Sequence, residues 1–218
     1  MQAAATMFQP QELDRLAPRL HSRSPAAQPH SNHQNGKSPQ GDDVWQGLDP
    51  LAATEAIAYD FLAKGGKHSR PFITLAAYRA LSPSTGSELP DSVKRCALSI
   101  ETFHKASLVH DDIEDDDEFR YGVPALHRQF GTPTAINVGD YLIGMGYRLV
   151  TREAKSLKPD VVVEILDHIA DAHVKLSEGQ GAELLWRDSR NKQLTPKDAL
   201  EIYSLKTAPA FAAALHTG

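Results

Sequence analysis

From Asp91 to about Glu114 the sequence holds one helical period without interruption, and that pattern sets the fold class. Its stripe is Val93, Cys96, Ala97, Ile100, Phe103, Ser107 and Leu108, at spacings of one, three and four, which gather on one face of a helix. The flanking segments are punctuated in the same way. Pro50 to Ala63 reads as a helix stopped by Gly65 and Gly66, and Arg70 to Leu81 as a second with Pro71 in its first turn. Thr132, followed by Pro133, opens a helix that runs to about Arg152. Pro159 opens another, with Val162, Ile165, Leu166, Ile169 and Leu176 on one side. Thr195, Pro196 and Asp198 spell a capping-box start for the last helix. There is no strand-like alternation of useful length and no internal repeat, so the expected class is all-α.

The 218 residues suit one domain with a loose extension. Ser22 to Asp43 is rich in Ser, Pro, Gln, Asn, His and Gly and nearly free of large apolar groups. Such a segment cannot offset its ordering entropy and reads as a disordered linker. Gln11 to Leu20 is expected to form a short helix before it. The organisation expected is therefore an extension over residues 1–47 and a partial domain over 48–218. Apolar residues make up 41%, enough for a core, and the net charge of -5 gives no bulk attraction to nucleic acid or to anionic membrane. Cys96 is the single cysteine, so no intrachain disulfide forms and the composition fits a reducing cytoplasm. The first residues lack a basic segment followed by a long apolar run, so no signal peptide is expected, and no stretch is apolar for long enough to span a membrane.

The chemistry concentrates where the long helix ends, in His110-Asp111-Asp112-Ile113-Glu114-Asp115-Asp116-Asp117-Glu118. Asp111 and Asp115 are one turn apart, about 6 Å along the axis, and share a face. Two carboxylates so placed can share Mg²⁺ ions and leave positions open for phosphate oxygens. The plain alternative is a solvated acidic run. Against it, negative charge at a helix C-terminus is opposed by the macrodipole, and like charges four apart repel. An EF-hand is excluded, because the required glycine and the closing glutamate are missing.

Basic groups accompany this run. In Gly65-Gly66-Lys67-His68-Ser69-Arg70-Pro71 the glycines permit a sharp turn, and Lys67 and Arg70 flank a helix N-terminus that favours anions. A helix C-cap followed by solvated basic residues explains the same letters. Arg120 follows the acidic run by a short loop. Lys206 and Thr207 lie late in the last helix ahead of Pro209, which is expected to kink it near Ala208; an exposed lysine beside an ordinary proline bend is the alternative. His104 stands seven residues before Asp111 on a similar face, where a satisfied core histidine is the commoner finding. His68 and His110 suggest no role.

In this order the segments GGKHSRP (65–71), FHKASLVHDDIEDDDEFRYG (103–122), GDYL (139–142), EGQGAELLWRD (178–188) and YSLKT (203–207) resemble the trans-isoprenyl diphosphate synthases. Terpene cyclases also carry an aspartate-rich motif but lack the GGKxxRP element and the Lys-Thr pair. The resemblance implies an isoprenoid synthase helical bundle with a central catalytic cavity, working as a homodimer. It implies that Asp111 and Asp115 hold Mg²⁺ on an allylic prenyl diphosphate that Arg120, Lys206 and Thr207 also bind. It implies that Lys67, Arg70 and His104 bind isopentenyl diphosphate and that Gln180 lines the reacting centre. The reaction implied is ionisation of the allylic diphosphate, attack by the isopentenyl double bond and loss of a proton.

Two departures stand out. The family usually has two arginines after the acidic motif, and Tyr121 occupies the second position here. The residues from Thr207 to Gly218 contain no Asp or Glu, so the second aspartate-rich motif is missing and the bundle is expected to be incomplete at its C-terminus. In the family, bulky aromatics at the positions of Ala106 and Ser107 give short products. Both are small here, which points to geranylgeranyl or longer, with Phe103 as a floor one turn deeper. A non-catalytic partner subunit or inactive fragment of such an enzyme, and a ligand-free helical interaction protein, are the competing readings.

Overall fold

The computed structural model describes residues 1–20, 49–82, 88–190, 193 and 195–218. The elements are α1 (Gln2–Thr6), α2 (Pro10–Leu16), α3 (Ala53–Ala63), α4 (Ser69–Leu81), α5 (Asp91–Glu114), β1 (Phe119–Arg120), β2 (Val123–Pro124), α6 (Leu126–Phe130), α7 (Thr132–Thr151), a 3-10 turn (Arg152–Lys155), α8 (Pro159–Asp188) and α9 (Pro196–Thr217). The all-α expectation holds, with one addition. Beyond the acidic run the chain forms a minimal antiparallel hairpin, pairing Phe119 with Pro124 and Arg120 with Val123. Its two loop residues, Tyr121 and Gly122, have φ of 55° and 80°, the sign pattern of a type I′ turn. Strands of two residues leave no alternation to read, so the sequence alone gives only a loop there. The linker expected over Ser22–Asp43 lies outside the described residues.

The structure divides into two compact units. One comprises His68–Glu101 and Tyr147–Gly218, with Met1; the other comprises Gln2–Lys67 and Thr102–Gly146.

In the first unit α8 buries Val162, Ile165, Ile169 and Ala172, at steps of three, four and three, and Gly179 two turns further on. Leu166 and Leu176, expected on the same stripe, are only half-buried. α9 packs along α8 and against α4. At Gly179 a Cβ would lie 2.7 Å from Leu205 Cβ and 2.8 Å from the Lys206 backbone nitrogen, so only glycine lets α9 come this close. The Thr195 hydroxyl accepts from Asp198 N at 3.3 Å, and Asp198 Oδ2 accepts from Thr195 N at 2.9 Å, which completes the capping box. α9 stays helical through Pro209 to Thr217. Thr74 of α4 donates its hydroxyl to the Ala214 carbonyl at 2.9 Å. Buried Glu153 accepts from Arg95 at 2.8 Å, and the Cys96 thiol is pushed up to about 12, chiefly by burial and then by Glu153. That thiol is a core group.

In the second unit α3 is central. Ala56, Ile57, Ala58, Tyr59, Phe61 and Leu62 are all buried, which leaves almost no polar face. Residues 2–20 fold with it: α1, α2 and the turns beside them bury Ala4, Met7, Phe8, Leu13, Leu16 and Ala17. Tyr59 donates to the Ala17 carbonyl at 2.6 Å. The buried Glu55 carboxylate accepts from Leu20 N at 2.7 Å and from the Tyr141 hydroxyl at 2.9 Å. Residues 2–20 therefore belong to the same compact unit as α3, where the sequence sets them apart as an extension.

Candidate active site

α5 ends in a Schellman arrangement made of carboxylates. Asp116 takes the left-handed conformation at φ 56°, Asp117 N donates to Asp112 O at 2.9 Å, and Asp116 N donates to Ile113 O at 3.3 Å. Aspartate tolerates that conformation better than most residues. Asp115 N still donates to Asp111 O at 2.8 Å, so helical geometry extends far enough to keep these two carboxylates one turn apart on the same face.

The acidic run is then split by burial. Lys105, Ala106, Val109 and Asp112 form the buried back of α5, each at 1% exposure or less. His104, Ser107, Leu108 and Asp111 are half-buried and Asp115 is exposed, along the other side. Two arginines pair with other members of the run. Arg120 of the hairpin grips Asp112 through Nη2 and through Nε at 2.8 Å, and reaches Asp117 at 3.2 Å. Arg128 of α6 pairs with Asp116 at 2.6 Å. These pairs offset the dipole and like-charge penalties that make the run costly in sequence. Burial holds the Asp112 carboxyl above its ordinary range, against the opposing pull of Arg120. The carboxylate beside Arg120 raises the guanidinium's pKa in turn.

The glycine turn is braced from beneath. Lys105, absent from the residues singled out in sequence, directs its ammonium at the carbonyls of Phe61 (3.5 Å), Lys64 and Gly65 (3.2 Å). Tyr121 covers it, with the ring centroid 4.1 Å from Nζ. Lys67 is exposed on the turn. Phe103 lies against Gly146 of α7, where a Cβ would be 2.7 Å from its ring. The Ser107 hydroxyl donates to the His104 carbonyl at 2.9 Å. Ala106 belongs to the buried back of α5, so of the two small residues only Ser107 shares the side of Asp111.

The second unit thus carries Lys67, His104, Asp111, Asp115 and Arg120, and the first carries Arg70, Gln180, Lys206 and Thr207. In the first, the Arg70 guanidinium stacks over Phe211, 4.7 Å from its centroid. Lys206 is paired with Glu183, four residues after the tight contact at Gly179, and Gln180 and Thr207 are half-buried. Glu183 was not singled out in sequence either; helical phase places it one turn from Gly179, on the side facing α9. A cavity of about 320 Å³ on α8 and α9, lined by His168, Asp171, Lys175 and His216 among others, contains none of these nine residues.

Among the described residues no cluster of three or more His, Cys, Asp or Glu makes a complete metal cage. The donor set of Asp111 and Asp115 instead fits an ion such as Mg²⁺, which takes one or two carboxylates and fills its octahedron with water and substrate phosphate.

The chain is thus an all-α protein with paired carboxylates at a helix end, a glycine turn bearing a lysine and a later Lys-Thr pair. The polyprenyl synthetase family model matches residues 52–218, and this chain belongs to that family. A short chain isoprenyl diphosphate synthase of Methanothermobacter thermautotrophicus is 36% identical over 157 residues, 72% of this chain and 45% of that protein. Geranylgeranyl pyrophosphate synthetase from Pyrococcus horikoshii superposes with a TM-score of 0.66 at 32% identity, covering 75% of this chain and 48% of that one. Polyprenyl synthase from Caulobacter crescentus, complexed with calcium and isoprenyl diphosphate, gives 0.65 at 30% identity, covering 78% and 48%. The chain spans about half the length of the curated relatives it matches.

Proposed function

We propose that this chain carries prenyltransferase machinery that condenses isopentenyl diphosphate with an allylic prenyl diphosphate. The observation that carries the reading is the division of the acidic run. Arg120 and Arg128 tie Asp112, Asp116 and Asp117 into the fold, while Asp111 and Asp115 lie along the less buried side of α5. Asp111 and Asp115 would hold Mg²⁺, which supplies Lewis-acid neutralisation of a leaving diphosphate. Arg120 is pre-oriented by its carboxylates through Nε and Nη2, so a phosphate oxygen would meet Nη1. Lys206 and Thr207 would bind the same allylic diphosphate, with Glu183 holding the lysine in the absence of that anion. Lys67, Arg70 and His104 would bind isopentenyl diphosphate, and Gln180 would line the reacting centre. The allylic C–O bond breaks with the electron pair leaving on diphosphate, the isopentenyl double bond attacks the carbocation, and a proton is lost.

The small Ser107 on the side of Asp111, with Phe103 one turn deeper against Gly146, supports a product of geranylgeranyl length or longer. Exposed apolar side chains on α8 and α9, among them Val163, Val174, Leu185 and Leu200, support assembly as a homodimer. The lone buried Cys96 supports a cytoplasmic setting, and among the described residues no helix is long and apolar enough to cross a membrane.

The test is incubation of the chain with Mg²⁺, radiolabelled isopentenyl diphosphate and dimethylallyl, geranyl or farnesyl diphosphate, with extracted products separated by length. Product that disappears in D111A/D115A and shortens in Ser107→Phe is the expected outcome. No product from the unmodified chain would favour a non-catalytic partner role, and unchanged length in Ser107→Phe would sink the product-length reading.

A further inference from the structure

Lys105 is the bulkiest fully buried side chain among the described residues, at 0% exposure. A lysine there needs an acceptor for each N–H, and an ammonium has three and accepts none. Three carbonyls meet that demand: Phe61 and Lys64 at the end of α3, and Gly65 at the start of the glycine turn. Two aromatic rings attend the same charge, Tyr121 at 4.1 Å and Phe61 at 5.3 Å from Nζ to the centroids. The Tyr121 ring also lies on Gly65, where a Cβ would come within 2.5 Å of it. Gly65 has φ 53°, a conformation that favours glycine independently of that contact. One buried cation therefore joins α5, the end of α3, the turn and the hairpin loop.

The charge has an electrostatic consequence for the turn. The last carbonyls of a helix carry about half a negative charge. Lys67 stands two residues beyond Gly65, so an anion held there would be opposed by the negative end of α3. We propose that Lys105 is a positioning residue for the anion-binding turn Gly65–Lys67: it cancels the carbonyl charge at the end of α3 and, clamped by Tyr121, fixes the turn for an isopentenyl diphosphate. The inference rests on the reading of Lys67 as a ligand of that diphosphate. It also gives Tyr121 a task, that of covering the buried ammonium.

The test is equilibrium titration of isopentenyl diphosphate, with no allylic substrate present, into the unmodified chain and into K67A, K105M and Y121L, each checked by thermal melting. Mg²⁺-dependent binding of geranyl diphosphate serves as the internal reference. K105M should weaken isopentenyl diphosphate about five- to tenfold and leave geranyl diphosphate unaffected. Y121L, which retains Lys105 and its carbonyls, should weaken it about threefold. K105M that binds isopentenyl diphosphate normally, or loses both ligands equally, overturns the inference. Where K105M does not fold, Y121L decides, and unchanged affinity there overturns it. If K67A binds as well as the unmodified chain, the turn is not the anion site, and the reading of Lys67 falls along with the inference.

Discussion

Asp112 is the residue whose role departs most from its appearance in sequence. It sits among identical neighbours, yet it is 1% exposed and bonded to Arg120, while Asp111 beside it is half-buried on another side of α5. Asp112→Ala should destabilise the chain by about 2 kcal/mol at neutral pH, below the loss for a wholly buried pair, because Arg120 keeps Asp117 and is partly solvated. The sign of the pH dependence follows from burial, which holds the folded carboxyl above its ordinary value of 3.8. The folded state thus prefers the protonated form. That contribution is complete below 3.8 and is lost as pH rises through the raised folded value. The gap between the unmodified chain and D112A in denaturant melts should therefore widen as pH falls toward 3.8; a narrowing gap would mean that the Arg120 charge outweighs burial. Asp111 and Asp115 were legible as a pair because four-residue spacing fixes a shared face. The separate role of Asp112 was not, because it depends on an arginine from a hairpin that the sequence does not announce.

Elements announced by caps and period were read well. α5 has the expected bounds, and the Thr195–Asp198 capping box forms. Those missed are short: α1, β1, β2, α6 and the 3-10 turn each span five residues or fewer. Their conformation comes from contacts, such as the Tyr121 ring on Gly65, more than from local propensity. Helix pairing was also hidden, because glycine is a poor helix former and nothing in the sequence marks the contact that Gly179 makes. Its value lies in the approach of Leu205 and Lys206. Gly179→Ala should gain about 1 kcal/mol in helix propensity. It should lose about 1–3 kcal/mol to overpacking. The expected net effect is a lower melting temperature and a disturbed Lys206–Glu183 pair. A higher melting temperature would show that α9 yields without cost.

For the chain as a unit of function, the family match and the division of the acidic run point the same way, and the nine residues named from sequence fall five to one compact unit and four to the other. At this scale the reading stands on Asp111 and Asp115 serving a metal. The most direct measurement is binding of geranyl diphosphate with and without Mg²⁺, to the unmodified chain and to D111A/D115A, alongside their melting curves. The reading predicts that the Mg²⁺-dependent gain in affinity vanishes in the double variant while its melting transition stays above the assay temperature. A double variant that keeps the Mg²⁺-dependent gain, or that loses it only because it melts below the assay temperature, would contradict the reading.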